Sequence, residues 1–388
     1  MKLLQITDYY NNGGGKERFI YDFSQKLLSY DIETAILCLE HNNTNSWGGS
    51  LSCEVKAINS DWKKYIESFQ PDVIFWHVGT DTIDIVEELA EDFPVFSLVH
   101  NATCPSGTRV FRDNDETCTY KTGNRCMVNW YLRQCGTKKS PKEALNLYKK
   151  SKKVHQILNN SKFVYVATEA MKKSLEIEKI DSNKIILFDL TLGNLTDLGP
   201  IKIFPSSDLL RILYIGRLSY NKGVQYLIQA ISILKKEKIN VICHIVGGGW
   251  YEEKLKIEVK KKRLEENIHF IGQVNGSDVN KHYLNTDVVV VPSIWYEAAG
   301  LVVPEARKNG KPVVVFNSGG LGEWKNMMNN IFVADRADAF SLANTIKLAS
   351  QKQVLELNDN KFNSPYTNLC TDLIEKIDDL NNKDIIKI

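Results

Sequence analysis

The sequence predicts an α/β protein built from two doubly wound domains, each with a parallel sheet. Short apolar runs alternate with helix-like segments through both halves, and several runs consist only of apolar or β-branched residues. Such runs are typical of strands buried on both faces of a parallel sheet. A stretch rich in Gly, Pro and Ser near 195–209 separates the halves. We therefore expect domains over 1–197 and 209–350, and a helical segment over 351–388 that packs back on the first domain.

The first half begins the alternation, with helix-like stretches between its apolar runs. Each run has the length of a strand and is bounded by polar or turn-forming residues. The predicted strands are Lys2–Thr7, Thr34–Leu39, Asp72–Val78, Val95–His100, Phe163–Thr168 and Ile185–Leu190, and the predicted helices include Lys16–Tyr30 and Asp84–Glu91.

The second half repeats the same rhythm after the linker. Two such domains joined by one hinge place a crevice between the carboxyl ends of their sheets, where open α/β folds bind ligands. The predicted strands are Arg211–Ile215, Val241–Val246, Ile268–Ile271, Asp287–Val291, Pro312–Phe316 and Ile331–Ala334, and the predicted helices are Gly223–Lys236, Tyr251–Arg263, Leu301–Lys308 and Asp338–Ser350.

Composition and charge exclude several classes of protein. Of 388 residues, 43% are apolar, which is enough for ordinary hydrophobic cores. Lys and Arg number 49 against 47 Asp and Glu, so bulk charge does not favour a nucleic-acid partner. No apolar run approaches the length of a transmembrane helix, and the N-terminus turns polar at Gln5 and Asp8. We therefore expect a cytoplasmic protein that binds no nucleic acid.

Glycine-rich loops follow three of the predicted strands, at Gly13–Gly15, Gly216–Gly223 and Gly247–Gly249. Glycine between a strand and a helix lets backbone amides approach an anion. In the second loop, Arg217 adds a planar donor fork and Lys222 a mobile ammonium, a pair that suits a diphosphate. The alternatives are a flexible turn for the first loop, which is neither G-x-G-x-x-G nor a P-loop, and two solvated cations for the second.

Two glutamates bracket the start of a predicted helix. Glu297 lies on the loop before Leu301–Lys308, Gly300 stands at the helix start, and Glu305 lies about one turn inside. Such a pair can hold the hydroxyls of a sugar and a ribose while the amides between them hold phosphates. Two ordinary surface glutamates are the alternative interpretation.

These motifs together resemble the retaining glycosyltransferases of family 4. The matching segments occur in the family's order and cover about residues 211–325, and the E-x7-E spacing of the two glutamates is their most specific feature. Two segments of the first half, GGGKER and LVHNATCPSG, fit more weakly. The segments of the second half are GRLSYNKG, VGGGWYEEKL, HFIGQV, DVVVVPSIWYEAAGLVVPEARKNGKPVV and GGLGE.

The resemblance implies a GT-B fold, in which two Rossmann-like doubly wound domains face a central cleft. It also implies a retaining hexosyltransferase that takes its sugar from a UDP- or GDP-sugar. The acceptor would be a glycan or a lipid-linked glycan, as in polysaccharide, lipopolysaccharide or protein glycosylation. The alternatives are a sugar-nucleotide epimerase or phosphorylase of the same fold, and an inactive sugar-nucleotide-binding protein.

The resemblance also assigns roles to particular residues. Arg217 and Lys222 would bind the donor diphosphate and stabilise the departing nucleotide diphosphate, and Glu297 would hold hydroxyls of the transferred sugar. The remaining contacts would be Glu305 to the ribose, backbone amides near Gly300, Leu301 and Val302 to the phosphate or sugar, backbone at Gly272 and Val274 to the base, Gly14 and Gly15 to the phosphates, and His100 to the sugar near the reacting carbon. No catalytic metal is expected, because the two cations take its place and no paired-Asp motif is present.

Four cysteines fall in one polar stretch, as Cys104-x13-Cys118-x7-Cys126-x8-Cys135. None forms a C-x2-C pair, so the spacing does not decide their chemistry. Three interpretations stay open: reduced cysteines, a structural zinc site, and disulfides, which a cytoplasmic setting disfavours.

A lysine-rich run follows the cysteines and contains interleaved apolar residues. A basic amphipathic face can rest on an anionic membrane, which would place the protein at the cytoplasmic face of the membrane. A solvated helix face is the alternative. The lysines are Lys138, Lys139, Lys142, Lys149, Lys150, Lys152 and Lys153.

Overall fold

The chain forms two compact units in a computed structural model that describes residues 1–11, 14–41, 53–58, 61–136, 140–188, 209–274, 276–351 and 367–385. The linker predicted near 195–209 lies, apart from Leu209, outside the described residues. The first unit contains Met1–Asn114, Cys118–Gly193 and Asn363–Ile388, and the second contains Asp115–Thr117 and Asn194–Phe362.

The first unit is built around a sheet in which every described pair of neighbouring strands is parallel. Its strands are β1 (Lys2–Tyr10), β2 (Glu33–His41), β3 (Glu54–Ala57), β4 (Val73–His77), β5 (Val95–Leu98), β6 (Phe163–Val166) and β7 (Ile185–Leu187). Their order is β3-β2-β1-β4-β5-β6-β7, so the chain reverses its direction of winding between β1 and β4. The central strands are buried on both faces, as their apolar runs predict.

Helices connect these strands, as a parallel sheet requires. They are α1 (Gly15–Leu28), α2 (Trp62–Phe69), α3 (Ile83–Leu89), α4 (Asn124–Leu132), α5 (Pro141–Asn160) and α6 (Glu169–Ile177). The start of α5 is fixed by its sequence, because the Ser140 hydroxyl accepts a hydrogen bond from the Glu143 amide and Pro141 occupies the first turn.

The second unit repeats the architecture with a second all-parallel sheet. Its strands are β8 (Leu209–Ile215), β9 (Asn240–Val246), β10 (Ile268–Gly272), β11 (Val288–Val291), β12 (Val313–Phe316) and β13 (Ile331–Ala334), in the order β10-β9-β8-β11-β12-β13. The helices are α7 (Val224–Lys236), α8 (Glu252–Lys261), α9 (Gly276–Leu284), α10 (Val302–Lys308), α11 (Trp324–Met327) and α12 (Ala339–Gln351). Here the winding reverses between β8 and β11.

A last helix, α13 (Thr367–Ile385), belongs to the first unit. Leu369, Cys370 and Leu373 of this helix are fully buried, and the Tyr165 hydroxyl on β6 donates to the Asp372 carboxylate at 2.7 Å. Within the described ranges, no helix combines the length and hydropathy needed to cross a membrane.

The predicted fold class of two doubly wound parallel sheets is confirmed, with strand ends shifted by a few residues. One strand end matters for the site: β5 ends at Leu98 and not at His100, so His100 lies in the following loop. The sequence interpretation missed β3, α2, α4, α6, α9 and α11. β3 is a short edge strand without a fully buried residue, and it therefore carries no apolar run.

Candidate active site

The winding reversal of the second sheet brings two loops together at the carboxyl ends of β8 and β11. One loop is Gly216–Gly223 and the other is Pro292–Gly300. The two loops are bonded directly, because the Asn221 carbonyl accepts hydrogen bonds from the amides of Ile294 (2.9 Å) and Trp295 (3.3 Å). A reversal of this kind is where open α/β sheets bind ligands.

Lys222 and Glu297 meet between these two loops. The Lys222 ammonium donates to both carboxylate oxygens of Glu297, at 2.9 and 3.2 Å. The Trp295 indole N–H donates to the same carboxylate, and the ammonium lies 4.7 Å from the centre of the Trp295 ring. Glu297 is only 8% exposed, so its charge is neutralised chiefly by this lysine.

A third loop holds the backbone of Glu297 in place. The Gly320 amide donates to the Glu297 carbonyl at 2.8 Å, and the Ser318 hydroxyl donates to the Trp295 carbonyl at 2.5 Å. Gly319 has a φ of 56°, and a Cβ there would lie 2.5 Å from the backbone N and O of Glu297. Only glycine fits at this position. The sequence interpretation quoted GGLGE as a matching segment but missed this supporting role.

Arg217 differs from Lys222 in having an exposed side chain. Its carbonyl accepts a hydrogen bond from the Tyr214 hydroxyl at 2.9 Å, which fixes the backbone. Within the described part of the chain, its guanidinium forms no hydrogen bond or ion pair. The donor fork that the sequence predicts for an anion is therefore free to bind one.

The other predicted donor contacts lie on neighbouring parts of the second unit. Gly300 and Leu301 precede α10, Val302 is its first residue, and Glu305 lies one turn inside it. Gly272 ends β10, and its carbonyl accepts from the Gly247 amide at 2.8 Å. Val274 follows two residues later and is partly exposed. The ligand contacts predicted for these residues stay predictions.

In the first unit, the predicted residue His100 is half-buried and ends a hydrogen-bonded chain of side chains whose other members are fully buried. His100 Nε2 lies 2.9 Å from His77 Nδ1, and His77 Nε2 lies 2.9 Å from the amide oxygen of Gln5. Burial lowers the pKa of His77 and His100 well below the ordinary value, and the nearby Lys16 ammonium lowers both further. Both histidines are therefore neutral near pH 7.

Sequence interpretation missed His77 and Gln5, because both lie within strands whose apolar pattern hides two polar residues. The glycine loop of this unit precedes α1: Gly14 is its N-cap and Gly15 is its first residue. Lys16 follows, and its ammonium lies 3.5 Å from the His77 carbonyl. The phosphate contact predicted for Gly14 and Gly15 stays a prediction.

The four clustered cysteines, Cys104, Cys118, Cys126 and Cys135, line one cavity together with Trp130 and Phe111. All four are free thiols. Across the described ranges, no three His, Cys, Asp or Glu side chains are arranged so that they could hold a metal ion. A structural zinc site therefore gains no support from the geometry and stays a prediction.

A buried ion pair anchors the loop that carries these cysteines. The Arg109 guanidinium donates to Glu178 at 2.5 Å, and both side chains are at most 1% exposed. Arg109 also donates to the carbonyls of Cys118 and Tyr120, each at 3.2 Å. Glu178 in turn accepts from the amide (2.9 Å) and hydroxyl (3.1 Å) of Thr122. Glu178 directly follows α6, a helix that the sequence interpretation did not predict.

The lysine-rich run lies largely on α5, whereas Lys138 and Lys139 are outside the described residues. Lys150 pairs with Asp81 at 2.5 Å, and Lys153 pairs with Asp84 at 2.8 Å. Lys142, Lys149 and Lys152 remain exposed. The basic face of α5 therefore contains fewer unpaired lysines than the sequence predicts.

The two sheets define a doubly wound α/β protein, with a candidate ligand site at the winding reversal of the second sheet. Residues 202–363 match the sequence model of the family described as glycosyl transferases group 1. The resemblance to these glycosyltransferases is thereby confirmed for the second unit, and the assignment to family 4 in particular stays a prediction.

Curated proteins and solved structures also resemble this chain. The chain is 40% identical over 124 residues to an uncharacterised glycosyltransferase of Methanocaldococcus jannaschii, a match covering 31% of each protein. It spans 28% to 51% of four further curated relatives. Among solved structures, it superposes on a sucrose-phosphate synthase of Thermosynechococcus elongatus (TM-score 0.70, 17% identity, 98% and 99% of the two chains). It also superposes on Anabaena HepE in complex with UDP-glucose (TM-score 0.65, 16% identity, 99% and 100%). The predicted GT-B fold is confirmed.

Proposed function

We propose that this protein is a retaining glycosyltransferase that moves a sugar from a nucleotide-diphosphate sugar to a glycan or lipid-linked glycan acceptor. The observation that carries the proposal is the contact between Lys222 and Glu297 at the winding reversal of the second sheet, with Arg217 exposed on the same loop as Lys222. A sugar donor of this class carries a diphosphate and several hydroxyl groups. The two cations suit the diphosphate, and the carboxylate suits the hydroxyls.

The exposed Arg217 guanidinium makes the first contact with the diphosphate in this proposal. Lys222 then shares its ammonium between the diphosphate and Glu297, because its three N–H donors can serve both. As the bond between sugar and phosphate breaks, negative charge grows on the departing diphosphate. Fixed cations stabilise that charge, and such preorganised electrostatics are commonly the largest contribution to catalysis.

Glu297 orients the transferred sugar through its hydroxyl groups. Trp295 and Gly320 hold the carboxylate and the backbone of Glu297 before any ligand binds, so little reorganisation is needed. Retention means that the acceptor attacks from the face from which the diphosphate departs. His100 contacts the sugar near the reacting carbon.

We propose UDP-glucose or a related UDP-sugar as the donor, because HepE, a structural neighbour across nearly the whole chain, was solved with UDP-glucose. A GDP-sugar is the alternative donor. The cations replace a catalytic metal in this proposal, so turnover does not require a divalent cation.

We propose a lipid-linked or surface glycan as the acceptor and an anionic membrane as its location. Val128 and Leu132 on α4 are 55% and 73% exposed, and the exposed lysines Lys142 and Lys149 lie on α5. The two helices contact each other, and a surface that combines exposed apolar side chains with lysines is typical of proteins that rest on anionic lipid.

A thermal-shift screen of UDP, GDP, UDP-glucose and a GDP-sugar tests the donor site. A ligand at about 100 times its Kd raises the free energy of unfolding by about 2.7 kcal/mol. We expect stabilisation by UDP and UDP-glucose in the wild type and none in Arg217→Ala. Incubation with the stabilising donor alone then tests the reaction: slow release of UDP supports transfer, epimerised donor identifies an epimerase, and no stabilisation by any nucleotide overturns the proposal.

A further inference from the structure

His77, Gln5 and His100 form a hydrogen-bonded chain in which the donor and acceptor of each bond can be deduced. The deduction starts at the Gln5 amide, whose nitrogen lies 2.8 Å from the Ser24 hydroxyl and 3.1 Å from the Thr34 hydroxyl. Ser24 donates its own proton to the Ile20 carbonyl at 2.7 Å, and Thr34 donates to the Leu3 carbonyl at 3.1 Å. Each hydroxyl has one proton, so toward Gln5 both can only accept.

The orientation of the Gln5 amide is thereby fixed, and its oxygen must face His77. The His77 ring nitrogen Nε2, 2.9 Å from that oxygen, must therefore carry a proton. His77 is fully buried, and burial lowers its pKa well below the ordinary value, so the ring is neutral and carries only this one proton. Its Nδ1 is consequently an acceptor.

The same argument continues to His100. Its Nε2 lies 2.9 Å from the bare Nδ1 of His77, so this nitrogen must donate. His100 is neutral as well, because burial and Lys16 lower its pKa. Its Nδ1 is therefore left with a lone pair and no proton, and it forms no hydrogen bond with any residue of the described ranges.

Packing holds both rings in this arrangement. The ring of Phe19 stands edge-on to His77 and to His100, with centroids 6.0 and 5.2 Å away, and Phe75 lies 5.3 Å from His77. The hydrogen-bonded chain starts at the backbone carbonyls of Leu3 on β1 and Ile20 on α1, and it ends at His100 in the loop after β5. Because both ring nitrogens of His77 and the Gln5 amide are hydrogen-bonded, the network up to His100 Nε2 specifies one geometry strongly.

We propose that His77 is a positioning residue that fixes His100 in the Nε2–H tautomer, so that His100 Nδ1 accepts a hydrogen bond from a hydroxyl group of the bound sugar. The last step rests on the proposed function, whereas the tautomer does not. A His100 held in this way favours sugars that present a hydroxyl to it, and it offers no donor to a phosphate oxygen.

Long-range ¹⁵N–¹H spectra of the unliganded protein with ¹⁵N-labelled histidine test the tautomers directly. The chain has seven histidines, and His100→Gln and His77→Asn assign the two signals. We expect both rings as Nε2–H in the wild type. A proton on Nδ1 of His100, or a charged ring near pH 7, overturns the proposal.

His77→Leu and His77→Asn separate positioning from packing. Leucine removes the acceptor, so the His100 signal should change to a mixture of tautomers. Asparagine places an acceptor oxygen near the former Nδ1 and should restore the Nε2–H form. Thr34→Val is the matched control: it leaves Ser24 to orient Gln5 and should change neither ring. If His77→Leu does not fold, Gln5→Leu tests the same relay, and an unchanged His100 tautomer in either variant contradicts it.

Turnover of UDP-glucose supplies the second measurement. We expect His77→Leu to lower kcat/KM for donor hydrolysis about tenfold, the effect of one hydrogen bond, and His77→Asn to recover most of it. A change in the His100 tautomer without any change in kcat or KM rules out the contact with the sugar. If the wild type binds no nucleotide sugar, the proposed function fails, and the spectra alone decide whether His77 fixes His100.

Discussion

The Lys222 ammonium lies 2.9 Å from the Glu297 carboxylate and joins the two loops at the winding reversal of the second sheet. The side chains are 24% and 11% exposed, so the pair is partly shielded from water. Arg217, five residues earlier, is exposed and has no such partner within the described residues. The two cations assigned to the diphosphate therefore differ in their importance to the fold.

Arg217→Ala and Lys222→Ala should consequently separate function from stability. We expect both to reduce kcat on the order of 10²-fold, because each removes a cation from the departing diphosphate. Arg217→Ala should change the free energy of unfolding by less than about 0.5 kcal/mol. Lys222→Ala should lower it by about 1–3 kcal/mol, because Glu297 loses its charged partner.

Urea unfolding and donor turnover of the same preparations give both quantities. Lys325→Ala, which removes an exposed lysine on α11, is the matched control and should leave both unchanged. Near-normal turnover in folded Arg217→Ala or Lys222→Ala would contradict the diphosphate role.

The sequence predicts those site residues that can be placed from the few residues on either side of them. Arg217 and Lys222 follow an apolar run and a glycine, and Glu297 precedes a helix, so each can be placed at the carboxyl end of a strand without knowledge of the fold. The contact between Lys222 and Glu297, 75 residues apart, depends on the strand order and cannot be read from either segment.

The chain from Gln5 to His100 was missed for a related reason. A polar residue within an apolar strand is indistinguishable by pattern from one that faces solvent, and here both Gln5 and His77 are fully buried. Their bond joins residues 72 positions apart. Similarly, β3 was missed because an edge strand needs no apolar run, and its position follows only from pairing with β2.

Breaking the buried pair of Arg109 and Glu178 should destabilise the first unit strongly. Removal of one partner leaves an uncompensated buried charge, which costs about 3–5 kcal/mol. We expect Glu178→Ala and Arg109→Ala to lower the free energy of unfolding by this amount, whereas Asp113→Ala, at the exposed pair with Arg133, should cost about 0–1 kcal/mol. Denaturation by urea measures all three, and equal effects would show that the buried pair has no special role.

The neutral histidines predict a loss of stability in mild acid. In the folded protein the pKa of His77 and His100 lies well below the ordinary value near 6.5, so the unfolded chain binds protons first as the pH falls. The contribution of the two neutral histidines to the free energy of unfolding is therefore fully present above about pH 6.5. Below that pH it should fall by up to about 1.4 kcal/mol per pH unit for each histidine.

Urea unfolding between pH 7.5 and pH 5 measures this slope. His77→Asn should reduce the slope by up to about 1.4 kcal/mol per pH unit, the contribution of one proton. Thr34→Val removes no titratable group and should leave the slope unchanged. A wild-type stability that does not change between pH 7 and pH 5.5 would contradict the neutral state of the two rings.

The clustered cysteines should react slowly in the native protein. Burial, together with the three neighbouring thiols, raises the pKa of Cys135 to about 12, and burial also raises those of Cys118 and Cys126. The thiolate is the reactive form, so alkylation by iodoacetamide at pH 8 should be at least about tenfold slower than in urea. Mass spectrometry of tryptic peptides measures each site. Rapid native alkylation of Cys135 would contradict the prediction, and one equivalent of zinc in chelator-free protein would revive the metal interpretation.

The exposed side chains of α4 and α5 predict binding to anionic vesicles. Leu132 and Val128 provide apolar surface, and Lys142 and Lys149 each contribute about 1 kcal/mol near anionic lipid. Flotation with vesicles of phosphatidylcholine and phosphatidylglycerol should recover the protein, and vesicles of phosphatidylcholine alone should recover little. Leu132→Ser and Lys149→Glu should each reduce the floated fraction, whereas Leu348→Ser, which alters an exposed leucine of the second unit, should not. Absence of flotation with anionic vesicles would remove the membrane from the proposed location and leave the donor site unaffected, because the α4–α5 surface belongs to the first unit and Lys222 and Glu297 to the second.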